Sequence, residues 1–176
     1  KTKPFKTENI TNYLEQKKGL LAEKSLQIAR LANGNLNTAL QLSQTEIKEE
    51  THLKEFQSWM QICYKANLKE LAKWTDEIAK NGRENQKEFL QYSLKHIRDC
   101  LLVNTLNESL LKTDKEETIF VRNFAPFIHG ENSVSIFEKT EKAINNIERN
   151  ANPKILFYEL SLQMMRLLKV KRKLAN

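Results

Sequence analysis

Three histidines, two cysteines and a few adjacent carboxylates are the residues of this 176-residue chain whose types could do chemistry. His52, His96 and His129 stand more than thirty residues apart. They form neither an i, i+4 pair nor the H-E-x-x-H pattern that would hold zinc on one helix face, so each is expected to be structural. Cys63 and Cys100 are too few and too distant for a disulfide framework or a four-ligand metal site, and are expected as small core residues. Asp76 with Glu77, and Glu116 with Glu117, are neighbours in sequence and therefore point to different faces of a helix. Neither pair converges as an acid and base, which leaves only carboxylates from separate helices to meet in the fold. The four glycines, at 19, 34, 82 and 130, are isolated from one another, so no run of free backbone amides can cradle phosphates. We expect no catalytic residue, no cofactor and no metal.

The remaining chemistry is charge. Lys and Arg number 29 against 22 Asp and Glu, a net charge of +7, and the excess sits at the two ends. Residues 1–45 carry seven positives and three negatives, residues 46–165 seventeen and nineteen, and residues 166–176 five and none. Arg166, Lys169, Lys171, Arg172 and Lys173 could track a phosphate backbone. A solvated basic end, where cations complement the C-terminal dipole of a helix, is the more ordinary reading. Lys169, Lys171, Arg172 and Lys173 are the candidates for phosphate contacts.

The elements that would carry these residues are helices. With four glycines, three prolines and 40% apolar residues the chain is too apolar for disorder and too poor in turn signals for an all-β fold. No apolar run exceeds four residues, against roughly 20 for a membrane span, and no hydrophobic signal segment opens the chain. A soluble, cytoplasmic protein is expected. Pro4 favours an extended lead-in at Lys3, and the opening without Met suggests the edge of a fragment. Ile10, Tyr13 and Leu14 mark a helix over about 8–17 that stops at Gly19, and a second runs over about 22–33 to Gly34. Asn35 caps a third carrying Leu36, Ala39, Leu40 and Leu42.

Residues 43–52 (SQTEIKEETH) are polar and acidic, and read either as a linker or as the exposed first turns of the next helix. We place a boundary near residue 46. Beyond it Leu53, Phe56, Met60 and Cys63 mark one amphipathic helix, and Leu68, Leu71, Ala72, Thr75 and Ile78 another. A longer helix follows from Glu84 to about Leu111, then a segment over 115–130 broken near Pro126, and a helix over 133–148. Trp59, Tyr64, Trp74, Phe89 and Tyr92 fall at helical intervals and suit packing. Trp74, slightly off its stripe, is a candidate for an inter-helix or inter-subunit contact.

Asn152 and Pro153 open the last helix as cap and first residue. From Ile155 to Val170 eleven of sixteen residues are apolar, whereas a helix burying one face needs three to four in seven. It must be buried on more than one side, either inside its own bundle or against a partner chain through Phe157, Met164 and Met165.

The segment 28–40 (IARLANGNLNTAL) resembles the lid-domain pattern A-x-G-S-x-R-x-A-L of the clamp-loader family of AAA+ ATPases. Trp59, Trp74 and the run 82–90 (GRENQKEFL) look like the start of that family's collar domain. Residues 150–157 (NANPKILF) are similar to the N-x-N-x-x-L element that begins its last collar helix. The resemblance implies an all-α chain: a three-helix lid at 1–45 and a helical collar at 46–176, with subunit-interface candidates at Trp74, Asn152, Phe157, Met164 and Met165. In the family the Arg of the lid pattern is the second sensor, contacting the nucleotide's terminal phosphates. Asn37 stands there instead, and a neutral amide cannot replace a fixed-charge, bidentate guanidinium on phosphate.

Within the family the chain is therefore similar to the delta-prime class, which resembles the motor subunits without usually binding ATP. The implied partners are the delta and gamma/tau subunits, joined through the collar, with DNA met only indirectly and no membrane. The implied task is non-enzymatic, as a scaffold in loading the sliding clamp onto primed DNA. The amino-terminal ATPase-like domain of the family has no counterpart here. A gamma/tau motor subunit and a free-standing basic helical module that binds nucleic acid are the alternatives.

Overall fold

The computed structural model describes residues 4–105, 107–111, 113 and 115–173. The lead-in expected at Lys3 and the last three residues lie outside the described residues. Among them the fold is all-α, with no strand: α1 (Thr7–Lys18), α2 (Ala22–Leu31), α3 (Leu36–Lys65), α4 (Leu68–Ile78), α5 (Arg83–Asn104), α6 (Lys115–Phe124), α7 (Ser133–Glu148) and α8 (Pro153–Leu167). Single 3-10 turns occupy Glu108–Leu110 and Ala125–Phe127. The second is where Pro126 ends α6, since its ring cannot continue the α-helical ladder.

The chain divides into two compact units, Lys1–His52 and Leu53–Asn176. The division falls later than residue 46, and it falls inside a helix. No linker interrupts residues 43–52: the segment contains neither Gly nor Pro and is rich in Glu, Gln and Lys, all good helix formers. Its hydroxyls bond back to the preceding turn, Thr45 Oγ1 to the Gln41 carbonyl at 3.2 Å and Thr51 Oγ1 to the Ile47 carbonyl at 2.8 Å. Polarity there signals an exposed helical face.

The first unit is small. Ile10 and Leu14 of α1 meet Ile28 and Ala29 of α2 and Ala39 of α3, with Leu20 and Ala32 from the connections. Gly19 ends α1 in the left-handed region at φ 68°, its N–H donating to the Glu15 carbonyl at 3.1 Å. Lys24 and Glu46 form an ion pair across α2 and α3.

The second unit is built around α8. Leu156, Phe157, Leu160, Ser161, Met164 and Met165 are all buried, against α4, α7 and the second half of α3. α5 packs on α7 and α6 on α5. Aromatic rings fill the centre: Trp59 stacks on Trp74 with centroids 5.5 Å apart and planes within 4°, and Phe157 meets the edge of Trp74 at 5.8 Å. Ser161 is the polar spot on the buried face of α8. Its hydroxyl accepts from Trp59 Nε1 at 2.7 Å and donates to the Phe157 carbonyl at 2.6 Å. The indole N–H, fully buried, thereby has a partner.

Ser161→Ala removes that acceptor and orphans a buried donor, which costs roughly 1–3 kcal/mol. Urea denaturation of the intact chain should show this loss, and in a double-mutant cycle most of it should disappear when Ser161→Ala is made in a Trp59→Phe background. An equal loss in both backgrounds would mean that the hydroxyl acts on α8 alone.

Candidate functional site

Asn37 lies in the first turn of α3 and is exposed. Asn35 caps this helix, its Oδ1 accepting from the Thr38 N–H at 3.2 Å. Asn37 helps to line a cleft of about 450 Å³ with Pro4, Phe5 and the stretch 33–36. One wall of the cleft is a close backbone crossing. Phe5 N–H donates to the Gly34 carbonyl at 3.0 Å, and a Cβ on Gly34 would come within 2.6 Å of Pro4 Cβ. With φ at +81°, position 34 requires glycine on both counts. Among the described residues the cleft is lined by amides and apolar groups, with no cation.

The interface candidates of the second unit are distributed differently from expectation. Trp74 (8% exposed), Phe157 (0%), Met164 (1%) and Met165 (7%) are buried inside their own bundle. They are inter-helix contacts and have almost no surface left to offer a partner. The physical reason is the covering of α8 by helices of its own unit: the surplus apolar circumference is consumed within the chain. Asn152 is the N-cap of α8, its Oδ1 accepting from the Ile155 N–H at 3.2 Å, with Pro153 in the first turn. The large apolar side chains that this part of the unit does expose are Ile155 (67%) and Leu68 (52%).

A buried polar cluster joins α5 to α6. Tyr92 donates its hydroxyl to Glu117 Oε1 at 2.8 Å, and Lys95 Nζ lies 3.6 Å from Glu117 Oε2. The ring of His96, fully buried, sits between Glu117 (3.3 Å from Nε2) and Asp99 (3.7 Å from Nδ1), with Phe56 stacked on it at 6.1 Å. Burial pushes the carboxyl of Asp99 up. Burial acts the same way on Glu117, but His96, the Tyr92 hydroxyl and Lys95 together outweigh it and hold that carboxyl at about 2. Two carboxylates from separate helices thus do meet, on a histidine that the sequence marks only as structural. The legible signal was Tyr92, His96 and Asp99 at i, i+4 and i+7, one polar stripe on a face shared with Phe89. The Glu117 contact has no sequence signal.

A second cluster sits where α8 ends. Asn132 donates through Nδ2 to the Phe127 carbonyl at 2.8 Å and the Leu167 carbonyl at 3.0 Å, while its Oδ1 accepts from the His129 N–H at 2.9 Å. His129 Nδ1 meets Glu131 Oε2 at 2.8 Å, and Nε2 meets the Val170 carbonyl at 3.0 Å. Glu131 is held below the usual carboxylate range by its own backbone N–H first, then by His129 and the backbone N–H of Lys173. Lys169, Lys171, Arg172 and Lys173 are all exposed along the segment so clasped.

Burial pushes the thiols of Cys63 and Cys100 up to about 12, so neither supplies a thiolate near neutral pH. Among the described residues no group of three or more His, Cys, Asp or Glu could hold a metal ion, and no helix is long and apolar enough to cross a membrane. What these side chains do is pack, clasp and present charge.

Because the Glu117 carboxyl is held below its unfolded value of about 4.5, its contribution to stability is present above that value and is lost as pH falls towards 2. Glu117→Gln should therefore lower stability at pH 7 and flatten the acid limb between about pH 4.5 and 2, read as denaturation midpoints across that window. An acid limb identical to that of the unmodified chain would remove Glu117 from this role. In comparisons with known proteins no family model, no curated protein and no solved structure matches the chain.

Proposed function

We propose that the chain is the lid and collar of a clamp-loader subunit of the delta-prime class. In this reading it is a non-hydrolysing scaffold that joins the delta and gamma/tau subunits through its collar while the assembly loads a sliding clamp onto primed DNA. The observation that carries it is Asn37. The lid-like segment 28–40 spans the end of α2, a glycine turn and the start of α3, and Asn37 is exposed in the first helical turn after the Asn35 cap. A side chain there reaches the cleft beside the helix start, where the family's motor subunits present a phosphate-gripping Arg. An amide in that place binds no phosphate charge, which supports a passive subunit over a gamma/tau motor.

The division into a small helical unit and a larger one is compatible with lid and collar, with the boundary at residue 52. The collar's role is mechanical, and its surface for neighbours is not the buried face of α8. Ile155 and Leu68, the exposed apolar side chains of α8 and α4, are the anchors this reading assigns to subunit contact.

Mixed with the delta and gamma/tau collar regions at micromolar concentration, the chain should form a heterocomplex whose mass is read by light scattering. Ile155→Asp, at an exposed position, should weaken assembly about tenfold, the effect of removing one modest anchor, with the helical content unchanged. No heterocomplex, or ATP hydrolysis by the polypeptide that carries this region, would overturn the reading. Unchanged assembly in Ile155→Asp would remove that face of α8 from the contact.

A further inference from the structure

We propose that the end of the second unit formed by Tyr64, Phe127 and the clasped segment 169–173 is a binding surface for single-stranded nucleic acid. An exposed basic segment is ordinarily held by water alone, whereas side chains of the same unit hold the backbone of this one. After Glu159 the sequence contains no acidic residue, while Arg166, Lys169, Lys171, Arg172 and Lys173 follow. The backbone that carries them is fastened at two carbonyls, Leu167 by Asn132 and Val170 by His129. The same Asn132 amide holds the Phe127 carbonyl, so this end of α8 and the turn at Ala125–Phe127 are tied to one side chain. On that turn the Phe127 ring meets the ring of Tyr64, centroids 5.0 Å apart, and Tyr64 is 52% exposed. The Tyr64–Phe127 pair and the backbone that carries these exposed cations are thus fastened to the same turn. The nearby carboxylate, Glu131, is engaged by His129 and by the backbone N–H of Lys173.

Cations satisfy phosphates, and a supported aromatic ring stacks on an unpaired base. An acidic polypeptide would use the first feature and leave the second idle; a duplex would keep its bases from the ring. Single-stranded nucleic acid uses both.

His129 is a positioning residue in this surface. Its two ring nitrogens meet a Glu131 carboxylate oxygen and the Val170 carbonyl oxygen, and so tie the segment to the turn that carries Phe127. The carboxylate against its ring is Glu131, and the turn meets neutral Asn104 from α5 and neutral Asn132 ahead of α7. Removing the ring releases both bonds and loosens the segment.

The test is fluorescence anisotropy of a labelled oligothymidylate with the intact chain, at several salt concentrations. Neutralising Lys169, Lys171, Arg172 and Lys173 together to Gln should weaken binding at least tenfold and reduce the log–log salt slope by about 3, at ~0.7 per phosphate contact on a single strand. Tyr64→Ala should weaken binding about tenfold and leave that slope unchanged. His129→Ala, which removes both contacts to the segment, should weaken binding several-fold, and His129→Gln, whose amide can still donate to a carbonyl, should recover part of the loss. Circular dichroism checks that each variant is folded. Unchanged affinity and slope in the fourfold variant would overturn the proposal. Binding of polyglutamate as tight as that of the oligonucleotide, with no effect of Tyr64→Ala, would overturn it in favour of an acidic polypeptide. Unchanged affinity in His129→Ala would overturn the role of His129. No loader subunit enters this experiment, so its outcome and that of the assembly experiment are independent.

Discussion

The hydrogen bond between the buried indole of Trp59 and the hydroxyl of Ser161 fixes how α8 sits in its bundle. Apolar packing alone is non-directional, and a helix as uniformly apolar as α8 could slide by a turn while burying similar area. A buried N–H without an acceptor is a different matter, because it forfeits its water without replacement. Ser161 is the polar residue on the buried face of α8, and the Trp74 ring stacked on Trp59 leaves the indole little freedom to seek another acceptor. One polar contact thereby sets the register of the most apolar helix, and with it where Pro153 begins and where the basic segment leaves.

The local chemistry of helix ends was legible in the sequence, because it depends on neighbours in the chain. Gly19 as a left-handed cap, Asn35 and Asn152 as N-caps, and Pro126 as a stop all behave as their residue types dictate. The continuity of α3 was not legible as a single reading: a run such as SQTEIKEETH has the polarity of a linker and the propensity of a helix, and what decides is that nothing in it breaks the ladder. The disposition of α8 was legible as a constraint and not as a solution. Counting its apolar residues shows that more than one side is buried, while the identity of the covering helices depends on contacts such as Trp59 with Ser161, 102 residues apart. The same holds for Glu117, whose meeting with His96 belongs to tertiary structure alone.

Charge and polarity are sorted in the second unit by their partners. Where titratable groups are buried, as around His96, they are clustered and hold two helices together. Where cations are exposed, along 169–173, the groups that bind the backbone beneath them are a histidine, an asparagine and a glutamate on one short turn. The first arrangement removes charge from solvent at some cost in desolvation. The second leaves it facing water, available to whatever approaches.

The two native thiols have a practical corollary. Cys63 and Cys100 are both fully buried, and they are the only cysteines in the sequence. Alkylating reagents attack thiolates, which neither residue offers while the bundle is closed. A cysteine introduced on the surface would therefore react alone, letting a dye or spin label be attached at one chosen point without first stripping the native sulfurs, and modification of the native pair would report that the bundle had opened.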